Sequence, residues 1–177
     1  MIRQADAIAA FEVDKTRYVV ASPGGPPACN AVYGVQNCFD MALKGAIENR
    51  GEALVLAPCL GKEGLPPEVN GLAPDEKSKT LFWDNLVRFR DTPLAEAAKY
   101  IDEKFVLYLW KTDRVLKLMK ENRVQLYLYS ELPAEKIEPS GIVPVADPQA
   151  WIDERAGRGD GLIRAIDKGN TILVRSR

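Results

Sequence analysis

The residues best placed for chemistry form a glycine-rich loop between an apolar strand and a helix. Residues 18–21 are a short apolar run, residues 22–27 read Ser-Pro-Gly-Gly-Pro-Pro, and a periodic segment at 29–49 predicts a helix that Gly51 ends. Because proline cannot donate a backbone hydrogen bond and glycine permits positive φ, the loop predicts a sharp turn. The unpaired N–H groups of the following helix could bind an anion there, although most such connections bind nothing.

The two glycines of this loop do not complete a known phosphate motif. A dinucleotide fingerprint needs three glycines at fixed spacing, and a P-loop ends in Gly-Lys-Ser or Gly-Lys-Thr. A phosphorylated ligand at Gly24 and Gly25 is therefore a secondary hypothesis. We expect Gly25→Val to destabilise the domain or to block the approach of a ligand, at a cost of about 1–3 kcal/mol if Gly25 has positive φ. Cys29 is either a thiol whose pKa is lowered by the helix or a small residue at the helix start. The second interpretation is favoured, because no basic residue lies near Cys29 in the sequence.

The chain of 177 residues contains no histidine. This absence excludes nucleophile systems and metal sites built on imidazole within the chain, and it removes the usual proton carrier near neutral pH. Any chemistry done by this chain alone would use Lys, Asp, Glu, Tyr or Cys. We therefore predict no catalytic residue and no metal ligand here.

Composition narrows the class of protein further. The net charge is −1 with acids and bases interleaved, which argues against nucleic-acid and membrane-surface partners. No apolar run approaches the roughly 20 residues of a membrane span, and the N-terminus lacks the apolar core of a signal peptide. Three cysteines without paired spacing favour reduced thiols. We expect a cytoplasmic protein that takes a small-molecule substrate.

Strands alternate with helices along the chain, which predicts an α/β fold. We expect a doubly wound, mainly parallel sheet of about five strands with helices on both faces. The predicted strands are 17–22, 53–57, 124–129, 142–145 and 171–174. The predicted helices are 2–12, 30–49, 76–89, 93–103, 111–122 and 148–155, with helical turns at 133–136 and 160–167. A long connection at 58–75 is expected to be functional or mobile. Residues 1–16 would form an N-terminal helix and lead-in, and 17–177 the α/β domain.

Four segments, in this order, carry a resemblance to a known family. They are the strand and loop at 18–27, the Cys-Leu-Gly-Lys-Glu-Gly segment at 59–64, the strand ending in Ser-Glu-Leu at 126–132, and the short run at 142–146 before a helix. Together they resemble the C-terminal domain of the nickel-pincer lactate racemases over residues 17–177. This resemblance implies a domain that closes over a 2-hydroxy acid in a racemase or epimerase of the isomerase class.

The resemblance also implies what this chain lacks. In the family, the N-terminal domain carries the lysine that tethers the pincer cofactor, the nickel-binding histidine and the paired acid–base histidines. The expected partner is thus a histidine-bearing N-terminal racemase half, separate or missing, that holds the nickel pincer nucleotide, with no cofactor in this chain. Whether the chain is an enzyme stays open, and we expect it to be inactive alone. The alternative is a non-enzymatic module that binds a small ligand or a partner.

Six positions are carried over as substrate-binding residues. The family helix reads Asp-x-Asn-x-Tyr-Gln-x-x-Lys, and this sequence matches it only at Tyr33. Asn37 replaces the family lysine, which predicts the loss of a cationic clamp and a gain in affinity from Asn37→Lys. Trp110 and Lys111 match a later tryptophan and lysine of the family, although from the residues alone packing and a solvated surface charge are the commoner roles. The predicted set is Gly24, Gly25, Tyr33, Asn37, Trp110 and Lys111.

Overall fold

The computed structural model describes residues 9–26, 28–29, 32–59, 76–104 and 109–177. The described strands are β1 Ala10–Val13, β2 Thr16–Ala21, β3 Ile47–Leu56, β4 Gln125–Tyr129, β5 Val143–Pro144, β6 Ile163–Ile166 and β7 Leu173–Ser176. Helix α1 has three consecutive parts, Val32–Asn37, the π-helical Cys38–Leu43 and Lys44–Ala46. The other helices are α2 Glu76–Phe89, α3 Leu94–Glu103, α4 Leu109–Leu116 with a π-helical end at Lys117–Glu121, α5 Ala134–Ile137 with a 3-10 turn at Glu138–Ser140, and α6 Pro148–Arg158.

Five strands form one parallel sheet in the order β5-β4-β3-β2-β6. Strands β1 and β7 form a separate parallel pair. The inner strands are apolar and buried on both faces, as parallel sheets require when helices cover them. The predicted α/β fold with about five parallel strands is therefore confirmed.

Side chains alternate along β2 between two layers of core. Val19 and Ala21 face the larger core, to which α1, α2, α3 and α4 contribute. Tyr18 and Val20 face a smaller core, where they pack with Trp151 of α6. Helices therefore cover both faces of the sheet, but the four-helix layer buries far more apolar surface. None of the described helices has the length and apolarity that crossing a membrane would require.

Several sequence predictions about elements are wrong. Residues 10–13 form strand β1 rather than the end of a helix, and residues 1–8 of that predicted helix lie outside the described residues. The first long helix ends at Ala46, and β3 begins at Ile47 instead of at 53. Gly51 stops no helix: it lies in a bulge of β3 where an added Cβ would come within 2.7 Å of the Arg17 carbonyl oxygen. The long connection at 60–75 also lies outside the described residues.

The sequence prediction of topology is least accurate for the C-terminal part of the chain. Residues 163–166 were expected in a helical turn, yet they form β6, which pairs with β2 inside the main sheet. The last strand, β7, lies outside that sheet and pairs with β1. The start of α6 is as predicted, because the Asp147 carboxylate accepts a hydrogen bond from the Ala150 N–H at 3.0 Å.

The contact between α1 and β7 leaves no room for a side chain at Gly45. A Cβ there would lie 1.9 Å from the Val174 carbonyl oxygen. We expect Gly45→Ala to lower the free energy of unfolding by about 1–3 kcal/mol, the usual effect of overpacking. Gly157 in α6 is the matched control, because its added Cβ meets nothing within 4 Å. Gly157→Ala should be neutral or stabilise by up to about 1 kcal/mol. Urea unfolding of both variants checks this, and equal stability of Gly45→Ala and the wild type would contradict the close packing.

Candidate ligand site

The chain reverses its direction across the sheet at β2. Strands β3, β4 and β5 follow on one side of β2, while β6 pairs with its other side. In open parallel sheets, ligands bind outside the carboxyl ends of the strands at such a reversal. Here the loops that follow β2 and β6 are joined by backbone hydrogen bonds: Ser22 N–H donates to the Ile166 carbonyl at 2.9 Å, and Gly169 N–H donates to the Ser22 carbonyl at 2.7 Å.

The positive φ of the glycine loop lies at Gly24 and not at Gly25. Gly24 has φ +105°, and a Cβ there would approach the Lys168 side chain to 3.6 Å. Gly25 does not have positive φ, and a Cβ added there would meet nothing within 4 Å. Lys168 also has positive φ, at 55°, which is unusual for a residue with a side chain. The junction of the two loops thus contains one non-glycine residue in the left-handed region, a conformation that is often found at ligand sites.

A hydrogen-bonded chain of three side chains connects the loop after β6 to two helices. The Lys111 ammonium at the start of α4 donates to Asn37 Oδ1 at 2.5 Å. Asn37 Nδ2 in α1 donates in turn to Asn170 Oδ1 at 2.6 Å. Lys111 is fully buried, at 1% exposure, whereas Asn37 and Asn170 are half-buried. The three residues come from well-separated parts of the sequence, so only the fold brings them together.

The environment of Lys111 disfavours its charge. Burial lowers the pKa of its ammonium group to about 8, the nearby Asp40 carboxylate acts in the opposite direction, and Arg114 lowers the pKa further. A buried cation must be hydrogen-bonded or paired to be tolerated, and Asn37 supplies one such bond. The fold therefore holds a positive charge beside the carboxyl edge of the sheet at an energetic cost.

Trp110 lies at the rim of this cluster rather than in the core. It is half-buried, with the Lys111 nitrogen 5.1 Å and the Arg114 guanidinium carbon 4.9 Å from its ring. Arg114 is ion-paired with Asp40 of α1. Trp110, Arg114 and Asp40 are among the residues that line a polar groove of about 780 Å³ between α1, α4 and β7. This position of Trp110 agrees with a packing role. Lys111 is not a solvated surface charge, because it is buried and bonded to Asn37 of α1.

Helix α1 departs from the family pattern for a steric reason. At Gly34, where the family has glutamine, a Cβ would lie 1.9 Å from the Ala28 carbonyl oxygen. No side chain fits there unless the backbone moves. Tyr33 lies within the same helix, but its side chain is outside the described part of the structure. Asn37 ends the first part of α1, immediately before the π-helical segment, a geometry that is frequent at functional sites.

The structure brings together three of the six predicted residues, namely Asn37, Trp110 and Lys111. Gly24 joins them indirectly, because its loop contacts the loop that carries Asn170. Gly25 makes no such connection. Sequence reasoning missed Asn170, and it could have been found only by recognising 163–166 as a strand, which would have placed the following loop at the carboxyl edge. It also missed Asp40 and Arg114, which set the charge around Lys111.

The geometry changes the expectation for Asn37. The sequence predicted that its replacement of lysine removes the cation from the site. In the structure, Lys111 brings a cation to Asn37 from another helix. A lysine at 37 would face the Lys111 ammonium at hydrogen-bond distance, so Asn37→Lys should introduce like-charge repulsion instead of a gain in affinity.

The arrangement can bind an anion or a carbonyl oxygen, but it offers little for nucleophilic or metal chemistry. Among the described residues, no group of three His, Cys, Asp or Glu side chains is placed to hold a metal ion. Cys29, Cys38 and Cys59 are buried thiols. Cys38 is a core residue, and burial raises the pKa of its thiol to about 12.

Comparison with known proteins supports the fold. No protein-family model matches the sequence, and no curated protein matches it. Among solved structures, the chain is similar to the lactate racemase apoprotein from Thermoanaerobacterium thermosaccharolyticum, with a TM-score of 0.68 and 17% identity over 98% of this chain and 39% of that one. It is also similar to a structural-genomics protein from Thermotoga maritima, with a TM-score of 0.57 and 10% identity over 99% of this chain and 40% of that one. The chain thus has a lactate-racemase-like fold and spans about two-fifths of the length of these structures.

Replacing the strained glycine should cost more than replacing its neighbour. We expect Gly24→Ala to lower the free energy of unfolding by about 1–3 kcal/mol, because φ +105° is unfavourable for residues with a Cβ. Gly25→Ala, the matched control, should change it little. Thermal or urea unfolding decides between them, and a larger loss for Gly25→Ala would contradict the assigned turn.

The buried amine predicts a pH effect on stability. Because the folded pKa of Lys111, about 8, lies below its ordinary value of 10.5, the unfolded chain binds more protons between these two values. This residue therefore makes stability rise as pH increases from about 8 towards 10.5, and its penalty is present in full below about 8. Lys111→Met should remove that contribution. The check is the difference in unfolding free energy between wild type and variant across this range, and a difference that does not vary with pH would contradict the assignment.

Proposed function

We propose that this chain is a substrate-closing domain of a lactate-racemase-like enzyme for a 2-hydroxy acid. The nickel pincer and the acid–base groups would belong to a histidine-bearing half that is either separate or missing from this sequence. The observation that carries the proposal is the convergence of Lys111, Asn37 and Trp110 at the carboxyl edge of the sheet. The family resemblance assigns these three positions to substrate binding, and the lactate-racemase-like fold supports that resemblance.

The proposed ligand chemistry follows from the charge at this edge. A 2-hydroxy acid carries a carboxylate and a hydroxyl on adjacent carbons, so its binding site needs a cation or strong hydrogen-bond donors. Lys111 supplies a positive charge that is largely shielded from water, where charge-assisted hydrogen bonds are strongest. Asn37 links this charge to the loop after β6. The role assigned to this domain is to bind and orient the substrate carboxylate and to exclude water.

The described residues do not fit the nickel pincer itself. The chain has no histidine, and the part that the structure describes holds no cluster of metal-ligating side chains. The cofactor and the groups that move protons would therefore belong to the partner half, and no chemical step is assigned to a residue of this chain. This division of labour is consistent with the length of the chain relative to the solved lactate racemase.

The test is reconstitution of racemase activity. We expect the isolated chain to leave L-lactate unchanged, because racemisation needs proton-transferring groups poised near neutral pH and the chain contains no imidazole. A histidine-bearing half loaded with the pincer cofactor should gain activity when this chain is added. Chiral chromatography of the lactate is the measurement.

Variants of this chain sharpen the test. Lys111→Met should raise the KM of the reconstituted enzyme severalfold, because it removes the positive charge that Asn37 connects to the loop after β6. Lys99→Met removes an equally long cation that is exposed and ion-paired with Glu103, and it should leave the KM unchanged. Racemisation by the isolated chain would overturn the proposal. So would a failure of this chain to alter the activity of any histidine-bearing half.

A further inference from the structure

The series of hydrogen bonds from Lys111 through Asn37 to Asn170 runs in one direction, which the donor and acceptor groups determine. An ammonium group has three donors and no acceptor, so the atom of Asn37 that meets it must be the carbonyl oxygen Oδ1. The amide group of Asn37 therefore turns its Nδ2 towards Asn170. Since Nδ2 is only a donor, Asn170 must present its own Oδ1 to Asn37. The orientation of both amides thus follows from one cation.

The outer end of this chain is a hydrogen-bond donor. With Oδ1 of Asn170 facing Asn37, its Nδ2 faces away from the helix, and within the described residues this Nδ2 makes no hydrogen bond. Asn170 is half-buried, so a small ligand can reach it. Successive hydrogen bonds in one direction polarise each other, and the charge at the inner end makes the outer N–H groups stronger donors. The positive character of buried Lys111 is thereby extended to the loop after β6.

The loop that carries Asn170 is held in place on both sides. Thr171 N–H donates to the Lys168 carbonyl at 2.8 Å, which closes a turn around Asn170. Gly169 N–H donates to the Ser22 carbonyl at 2.7 Å, which ties this turn to the loop after β2. A donor on such a turn is preorganised, so little ordering opposes binding.

We infer that the Asn170 side-chain amide donates a hydrogen bond to the carboxylate of the small hydroxy acid, at the edge between the loops after β2 and β6. This inference rests on the proposed function, because it identifies the residue that contacts the substrate of that site. Asn170 is therefore a substrate-contacting residue, Asn37 is a positioning residue, and Lys111 acts on the ligand through both.

The decisive variant is Asn170→Asp. An aspartate keeps an oxygen for the bond from Asn37 Nδ2, so the connection to α1 is retained, but the N–H donor is lost and a negative charge faces the ligand. Asn49→Asp is the matched control: Asn49 Oδ1 likewise accepts from the Nδ2 of another asparagine, Asn122, at 2.9 Å, and it lies near the amino end of β3, away from the carboxyl edge. The control introduces the same charge and preserves an equivalent bond.

The experiment is a titration of the ¹⁵N-labelled full chain with sodium L-lactate and with sodium acetate, followed by NMR at constant ionic strength below neutral pH. The Asn170 side-chain resonance is identified by its disappearance in Asn170→Asp. We expect this resonance to shift saturably with lactate. Asn170→Asp should weaken lactate binding by about tenfold or more, as expected for a lost charge-assisted bond. Asn49→Asp should bind lactate like the wild type.

The outcomes separate this inference from the proposed function. Tighter binding of lactate than of acetate, with Asn170→Asp defective for both, supports the two together. Equal binding of the two ligands, again lost in Asn170→Asp, supports the carboxylate contact and counts against a 2-hydroxy acid site. An Asn170 resonance that stays unshifted at lactate concentrations well above the millimolar range overturns the inference. Unchanged lactate affinity in Asn170→Asp overturns it as well. If this variant does not fold, triple-resonance assignment of the wild-type chain identifies the Asn170 side-chain resonance, and its shift with lactate decides.

Discussion

The pairing of β2 with a parallel strand on each side is the constraint from which the rest of the site follows. Residues Tyr18 to Ala21 pair with β3 on one edge and with β6 on the other. Because all three strands point the same way, the loops after β2 and β6 must emerge side by side. Helix α1 then starts from the first of these loops and meets the second at Asn170. A shift in the register of β6 would separate Asn37 from Asn170 and break the connection to Lys111.

The two faces of the sheet use buried cations in different ways. On the smaller face, Arg155 is ion-paired with Glu52 at 2.6 Å, bonded to the Tyr127 hydroxyl at 3.1 Å, and stacked on the Trp151 ring. Its charge meets an opposite charge directly, and Arg155 together with Tyr127 keeps the pKa of the Glu52 carboxyl below its ordinary value. That network is complete in itself and is read as structural. Lys111 instead makes its described hydrogen bond to a neutral amide, and its pKa is lowered. A charge held at such a cost is typical of functional sites.

The sequence predicted what local patterns determine and failed where distant contacts decide. The apolar runs of β2 and β3 and the cap at Asp147 were visible in short windows. The strand at 163–166 was missed because Gly159 and Gly161 break the pattern before it, and its place beside β2 depends on pairing and not on propensity. Lys111 reads as a surface charge in its own helix, since its acceptor Asn37 lies 74 positions away. Asn170 carried no signal at all, because its partner is 133 positions away.

Positions 37 and 111 are best understood as one electrostatic unit. A lysine at position 37 would bring a second ammonium group close to that of Lys111, and two such groups repel each other strongly where water is largely excluded. A cation at 111 is therefore compatible with a neutral acceptor at 37, and the carbonyl oxygen of asparagine meets that need. The amide adds something that a second cation cannot, because it accepts at one end and donates at the other. Asn37 therefore does not leave α1 without an electrostatic role. It connects the charge of Lys111 in α4 to Asn170 in the loop after β6.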